Sequence, residues 1–301
     1  MGDLIPGATR RTLQVGALAF TAYEIGEGPL VLLVHGFPDT PATWRYLAPE
    51  LARAGYRAVA VTCRGYEASS MSPDGDFGLA SLIDDVLGWL DALDAERAHL
   101  IGHDWGSSLV QLAAAKAPHR VASLTVLAVA HPAAFAALLP TDLEQLERSW
   151  YIFLLQRPDL PEVLIAGSGL LDHFWRRWSP GWTPDAEVIA AMTAAFADPE
   201  VARSALSYYR RAFDTEHPRW SEAAALLAAP IPVPTLGLAG ARDGCVAAEL
   251  FQRALPPEVF QAEREISVLP GVGHFLHLEA PDTVGAAIIK RLRADKARSS
   301  T

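Results

Sequence analysis

Cysteines and long apolar runs are scarce in this chain of 301 residues. Its two cysteines, Cys63 and Cys245, are too few for a disulfide framework, so we expect free thiols in a reducing cytoplasm. No charge-free run of about 20 apolar residues is present, which argues against a transmembrane helix. The N-terminus has an early acidic residue and no long apolar core, so it does not resemble a signal peptide.

Blocks of basic residues and metal-binding motifs are also missing. The formal net charge is -10, and the charges are spread along the chain. Nucleic acid and anionic membrane surfaces are therefore not expected partners. The histidines lack the spacing of metal ligands, and no zinc-type cysteine cluster occurs, so we expect neither a metal nor another cofactor.

Half of the residues are hydrophobic, enough to bury a large core. Segments with strand patterns alternate with segments of helical periodicity, which predicts an α/β fold with a mostly parallel sheet flanked by helices. We expect residues 12–25 and 29–35 to be neighbouring strands. The further predicted strands are 57–63, 98–103, 121–130, 233–240 and 265–271, and the predicted helices are 79–93, 105–118, 246–255 and 282 to about 297.

The alternation stops between residues 132 and 222. This region has helical patterns, no good strand and five of the eight tryptophans. We therefore predict an α/β core formed by residues 1–131 and 223–301, with a helical lid inserted at 132–222. A lid over the carboxyl ends of the strands would enclose an apolar pocket.

The segment "GHDWGSS" (102–108) has the pattern of the sharp strand-to-helix turn that usually presents a serine nucleophile. Gly102 and Gly106 allow the tight turn, and Asp104 occupies the nucleophile position. A strand pattern precedes the segment and a helical pattern follows it. The alternative for Asp104 is an ordinary helix N-cap.

An aspartate nucleophile at this position acts on a different class of substrate from a serine nucleophile. Serine attacking a saturated carbon would form an ether that the site could not hydrolyse, whereas Asp104 attacking the same carbon forms an ester. Water can cleave that ester and complete the cycle. The expected substrates are therefore epoxides or compounds with carbon–halogen bonds.

Two later loops supply an acid and a base. "GVGHFLHLEAP" (271–281) places His274 in a glycine-containing loop before the last predicted helix, with His277 as the competing candidate. "ARDGCV" (241–246) places Asp243 after a strand, where it could orient the imidazole or merely pair with Arg242. The order Asp104, Asp243, His274 matches the order of nucleophile, acid and base in enzymes that present the nucleophile on this strand-to-helix turn.

The ester requires an activated water and a stabilised oxyanion. Asp104 is already ionised, so His274 is expected to remove a proton from water that attacks the ester carbonyl. The expected oxyanion donors are the backbone N–H groups of Phe37 in "HGFP" (35–38) and of Trp105. Whether the bond before Pro38 is cis stays open at this point.

Together these segments resemble the epoxide hydrolase branch of the α/β-hydrolase fold, over nearly the whole chain. The resemblance implies a covalent alkyl-ester on Asp104 and a vicinal diol as product. It also implies two tyrosines that bind the epoxide oxygen, Tyr151 in "SWYIFLLQ" and Tyr209 in "SYYRRAF". Tyr208 is the neighbouring alternative, but adjacent helical residues point about 100° apart, so we expect only one of this pair in the pocket. The motifs that carry the resemblance are "HGFPDTPATWR", "RGYEASS", "GHDWGSS", "ARDGCV" and "GVGHFLHLEAP".

Three other functions remain as alternatives. A haloalkane or haloacid dehalogenase could use the same triad, but a leaving halide needs weak N–H donors rather than acidic phenols. A binding protein would not need to keep Asp104, Asp243 and His274. A serine esterase would need Ser107 or Ser108, which lie past the turn. The expected partners are a small hydrophobic epoxide and water; the sequence does not fix the oligomeric state, and a homodimer is one option.

Overall fold

A mixed sheet of eight strands forms the centre of the molecule in the computed structural model, which describes residues 4–167, 169–212 and 214–299. The strands are β1 (Thr9–Val15), β2 (Leu18–Ile25), β3 (Leu30–Val34), β4 (Arg57–Val61), β5 (Ala98–His103), β6 (Val121–Leu127), β7 (Thr235–Gly240) and β8 (Arg264–Leu269). Their order in the sheet is β1-β2-β4-β3-β5-β6-β7-β8. Strands β3 to β8 run parallel, and β1 and β2 are antiparallel additions at one edge.

The expectation that 12–25 and 29–35 form two neighbouring strands is wrong. A turn at Gly16, where φ is 56°, divides the first segment into the hairpin β1–β2. Strand β4 then lies between β2 and β3, and it pairs with both. The other predicted strands occur within a few residues of their expected limits.

Helices cover both faces of the sheet. Those of the core are α1 (Leu47–Arg53), α2 (Leu79–Ala92), α3 (Trp105–Lys116), α12 (Ala248–Arg253), α13 (Leu276–Glu279) and α14 (Pro281–Ser299). Alternate residues of β3 enter different clusters because strand side chains alternate between faces. Leu32 and Val34 belong to the cluster that contains α2 and α3, and Val31 and Leu33 belong to the cluster that contains α1 and α14.

Among the described residues, eight α-helices and no strand lie between β6 and β7. They are α4 (Pro132–Leu138), α5 (Leu143–Arg148), α6 (Trp150–Leu155), α7 (Leu160–Gly167), α8 (Leu170–Trp178), α9 (Ala186–Phe196), α10 (Pro199–Arg211) and α11 (Trp220–Ala228). We call residues 132–228 the helical insert; α11 passes through the predicted boundary at 222 and packs on α2 and α3. Among the described residues, no helix is long and apolar enough to cross a membrane.

The start of α3 lies so close to the end of β3 that a side chain would not fit between them. A Cβ atom on Gly106 would lie 2.0 Å from the carbonyl oxygen of Val34, and one on Gly102 would lie 2.3 Å from the carbonyl oxygen of Gly106. Both obstacles are backbone atoms, which cannot rotate away. The two glycines therefore set the distance between β3, β5 and α3.

We expect Gly106→Ala to lower the free energy of unfolding by about 2–4 kcal/mol, because the new methyl group forces the helix away from the strand. Gly167→Ala is the matched control, since a Cβ there would have no atom of the described residues within 4 Å apart from its own helix and chain neighbours. That variant should stay within about 0.5 kcal/mol of the wild type. Urea unfolding measures both values, and equal stabilities would contradict this account of the packing.

Candidate active site

Asp104 lies at the turn between β5 and α3, at the carboxyl end of the central strands. Its backbone has φ 53° and ψ -120°, a conformation that non-glycine residues rarely adopt. The side chain is 4% exposed. Asp104 occupies the N-cap position of α3, but within the described chain its side chain makes no capping hydrogen bond to the helix.

The "HGFP" segment follows β3 and lies against Asp104. The backbone N–H of Phe37 donates a hydrogen bond of 2.8 Å to Oδ1 of Asp104, as expected for one of the two predicted donors. Gly36 permits this approach, because a Cβ there would lie 2.4 Å from the Cβ of Asp104. The Phe37–Pro38 peptide bond is cis. Trp105, the second predicted donor, is the first residue of α3.

The structure brings the predicted acid and base to the same place. Nδ1 of His274 lies 2.9 Å from Oδ2 of Asp243, and Nε2 lies 3.6 Å from Oδ2 of Asp104. The other carboxylate oxygen of Asp243 accepts the backbone N–H groups of Cys245 at 2.7 Å and Val246 at 3.0 Å. All three functional side chains are buried, so their interactions are little screened by water.

The charges of this group shift two pKa values in opposite directions. Burial lowers the pKa of His274, but the neighbouring carboxylates of Asp243 and Asp104 outweigh it and raise the pKa to about 10. Burial raises the pKa of Asp104, but the charge of His274 and the Phe37 N–H outweigh it and hold the pKa below its usual value. Both directions favour an imidazolium beside a carboxylate in the free site.

A cavity of about 240 Å³ reaches Asp104 and contains the two predicted tyrosines. Tyr151 comes from α6, and Tyr209 comes from α10 on the other side of the insert. Most of the remaining lining is apolar. It includes Leu79, Val129, Phe135, Ile152, Trp220 and Leu227.

The two tyrosine hydroxyls remain protonated and available. Burial, followed by Cys245 for Tyr151 and by Asp104 for Tyr209, raises both pKa values well above the ordinary one. The Tyr151 hydroxyl contacts Sγ of Cys245 at 3.3 Å, and within the described residues the Tyr209 hydroxyl has no hydrogen-bond partner. Tyr208 instead donates to the carbonyl oxygen of Arg64 at 2.9 Å.

The competing candidates have other contacts. His277 is buried with Nε2 at the hydroxyl of Thr43, and its ring lies beside that of His103. A larger cavity, of about 510 Å³, is bordered by Arg45 and Glu187, and none of the predicted catalytic residues line it. The chemistry therefore places the candidate site in the smaller cavity.

Contacts from the insert to the catalytic loops were not predictable from the sequence. Gln145 of α5 donates to the carbonyl oxygen of Cys245 and accepts the N–H of Ala247, both at 2.8 Å. The carbonyl oxygen of Trp178, at the end of α8, accepts the N–H groups of Gly244 at 3.0 Å and of His274 at 3.1 Å. The insert therefore holds both the acid loop (residues 243–247) and the base in position.

Comparison with known proteins agrees with this geometry. The α/β hydrolase fold family matches residues 29–281. Epoxide hydrolase A of Mycobacterium tuberculosis is 30% identical, with 94% of this chain and 97% of that protein aligned. An epoxide hydrolase of Caballeronia sordidicola is 29% identical over 97% of this chain and 95% of its own. The crystal structure of epoxide hydrolase A from Mycobacterium thermoresistibile superposes with a TM-score of 0.79 at 28% identity, covering 95% of this chain and 98% of that one. The chain therefore belongs to the α/β-hydrolase fold family and, within it, to the epoxide hydrolases.

Proposed function

We propose that this protein hydrolyses a small hydrophobic epoxide to a vicinal diol through a covalent ester on Asp104. One observation carries the proposal: a buried carboxylate and two protonated phenols, Tyr151 and Tyr209, line one largely apolar cavity. The carboxylate can attack an epoxide carbon while the phenols bind the oxygen that leaves it. The names of the similar proteins support the same substrate class.

In the first step, an Asp104 oxygen forms a bond to the epoxide carbon and the carbon–oxygen bond of the ring breaks. The electron pair goes to the ring oxygen, which becomes an alkoxide. Tyr151 and Tyr209 donate hydrogen bonds to it, and one of them supplies the proton. The phenolate that remains takes the Nε2 proton of His274, which leaves a neutral imidazole for the second step. A largely apolar cavity strengthens these hydrogen bonds relative to water.

In the second step, water attacks the ester carbonyl and the neutral imidazole of His274 accepts one proton from it. The bond between the carbonyl carbon and the alkoxy oxygen of the ester then breaks, the leaving alkoxide takes the remaining proton of the attacking water, and the diol departs. The Asp104 carboxylate and the His274 imidazolium are thereby restored. Esterification removes the negative charge of Asp104, one of the two charges that raise the pKa of His274. The pKa of His274 therefore falls after the first step, and the neutral imidazole can accept a proton from water. The Phe37 N–H, which already donates to Oδ1, and the Trp105 N–H are the proposed oxyanion donors.

A dehalogenase is the second candidate, since it needs the same carboxylate, base and acid. Its leaving halide is a weak base that requires no proton, so it gains little from phenols. Here two phenol-bearing residues from different helices, α6 and α10, line the cavity beside Asp104. That arrangement favours an epoxide, whose oxygen leaves as a strong base.

We expect His274→Gln to stop the reaction at the ester and to distinguish the two substrate classes. An epoxide should add its whole mass to the protein, on the peptide that carries Asp104, because ring opening releases no leaving group. Intact-protein mass spectrometry measures the adduct, with the wild type as the control that does not accumulate it. An adduct formed only from a haloalkane would favour the dehalogenase, and no adduct from either would remove Asp104 from the nucleophile role.

We expect removal of the phenol hydroxyls to slow ring opening selectively. Loss of one donor of this kind costs about 10²–10³ in rate, so Tyr151→Phe or Tyr209→Phe should slow alkylation by up to that factor and the double variant should nearly abolish it. Hydrolysis of the ester should change little. Stopped-flow tryptophan fluorescence separates the steps, because Trp105 adjoins Asp104.

Tyr208→Phe is the matched control for these variants, because its hydroxyl donates to the Arg64 carbonyl oxygen. It should lose about 1 kcal/mol of stability and keep wild-type alkylation. Wild-type alkylation in the double variant would instead assign Tyr151 and Tyr209 to packing.

We expect the free energy of unfolding to fall as the pH rises from 7 to 10, and to fall less in Asp104→Asn. The pKa of His274 is about 10 in the folded protein, against 6.5 for an ordinary histidine. Its stabilising contribution is complete below pH 6.5 and is lost as the pH passes through about 10. Removing the Asp104 charge lowers the folded pKa, so the variant has less to lose. Urea unfolding at both pH values tests this; identical slopes would contradict the charge coupling.

A further inference from the structure

Cys245 places a thiol beside the carboxylate and imidazole of the proposed mechanism. Its side chain is 1% exposed, and its sulfur lies 3.3 Å from the hydroxyl oxygen of Tyr151. One ligand atom from each of Asp104, Cys245 and His274 lies within 4.8 Å of the other two. The proposed mechanism uses the carboxylate and the imidazole and assigns no chemical task to the sulfur.

We propose that Asp104, Cys245 and His274 form an inhibitory binding site for a thiophilic dication, Zn²⁺ or Cd²⁺. The donor set contains one sulfur, one nitrogen and one oxygen, a combination that suits these ions and not the oxygen-seeking Mg²⁺ or Ca²⁺. Three protein ligands leave the fourth tetrahedral position for water.

The distances are close to those that such an ion requires. Two ligand atoms about 2 Å from a tetrahedral zinc ion lie roughly 3.3 Å apart. Nε2 of His274 and Oδ2 of Asp104 are already 3.6 Å apart. Nε2 is buried beside the Asp104 carboxylate and forms no hydrogen bond among the described residues, so no hydrogen bond has to break when it binds an ion. The sulfur lies within 4.8 Å of both atoms, and a tetrahedral site requires it to move to roughly 3.5 Å from them.

Binding also leaves the buried dication paired with opposite charge. Ligation displaces the protons of the Cys245 thiol and of His274 Nε2 to solvent. The thiolate and the Asp104 carboxylate supply two negative charges, which match the charge of the dication.

The bound ion would prevent the first step of the proposed reaction. It engages the Asp104 oxygen that must attack carbon, and it occupies the lone pair that His274 needs as a base. The ion reaches the site through the same cavity as the substrate, because Tyr151, which contacts the sulfur, lines that cavity. The inhibition rests on the proposed function, because it is measured as a loss of epoxide hydrolysis. Metal binding can be measured without that activity.

The test is a titration of the whole protein with CdCl₂, followed by ultraviolet absorption from thiolate-to-cadmium charge transfer. The wild type should bind one equivalent with a thiolate band and lose diol formation in parallel. Cys245→Ser should lose the band and bind Cd²⁺ at least about tenfold more weakly, since even outer contacts of a metal site have effects of that size. Cys245→Ala is the second variant if the serine protein does not fold, and each protein is compared with its own metal-free rate.

Cys63→Ala is the matched control, because Cys63 is the other buried free thiol and its sulfur donates to the carbonyl oxygen of His35. It should keep the wild-type band and affinity. A second cluster, Asp39, His103 and His277, also has close donor atoms but no sulfur. Cadmium binding without a band, or inhibition unchanged in Cys245→Ser, would overturn the proposal. A Cys245-dependent band in a protein without epoxide turnover would instead count against the proposed function alone.

Discussion

The imidazole of His274 lies fully buried between the carboxylates of Asp243 and Asp104. The surrounding loops donate hydrogen bonds to both carboxylates and so hold them beside the ring. Charges in a dry interior are costly unless each has a partner and its remaining hydrogen-bonding atoms are satisfied. Asp243 meets this condition with two backbone N–H donors, and Asp104 meets it with the N–H of Phe37. The longest contact of the group is the 3.6 Å between Nε2 of His274 and Oδ2 of Asp104. This ion pair is lost in the proposed cycle, because Asp104 becomes an uncharged ester.

Burial has different consequences for the histidines around the site. It lowers the pKa of His103 to about 3 and that of His35 to about 4, so both are neutral near pH 7. His274 alone among these three has two carboxylates within reach, and its pKa rises instead. The same dryness keeps Tyr151 and Tyr209 protonated. Position relative to the carboxylates, and not burial as such, decides which side chain carries charge.

The sequence predicts those parts of the site that depend on local geometry. The glycines at 102 and 106 identify the turn, and the angle between adjacent helical residues separates Tyr209 from Tyr208. The position of β4 between β2 and β3 depends on strand pairing between distant segments, which periodicity does not encode. For the same reason no pattern indicates that Gln145 bonds the acid loop or that Cys245 reaches the tyrosine.

The two hydrogen bonds from Gln145 to the acid loop have a consequence for recombination between relatives. A chimera that exchanges the insert at its chain ends, near residues 131 and 229, would keep the core sequence but lose the side chain that holds residues 245–247. The carboxylate that orients His274 would then depend on a foreign partner. An exchange that keeps these two hydrogen bonds must therefore move α5 together with the loop that follows β7.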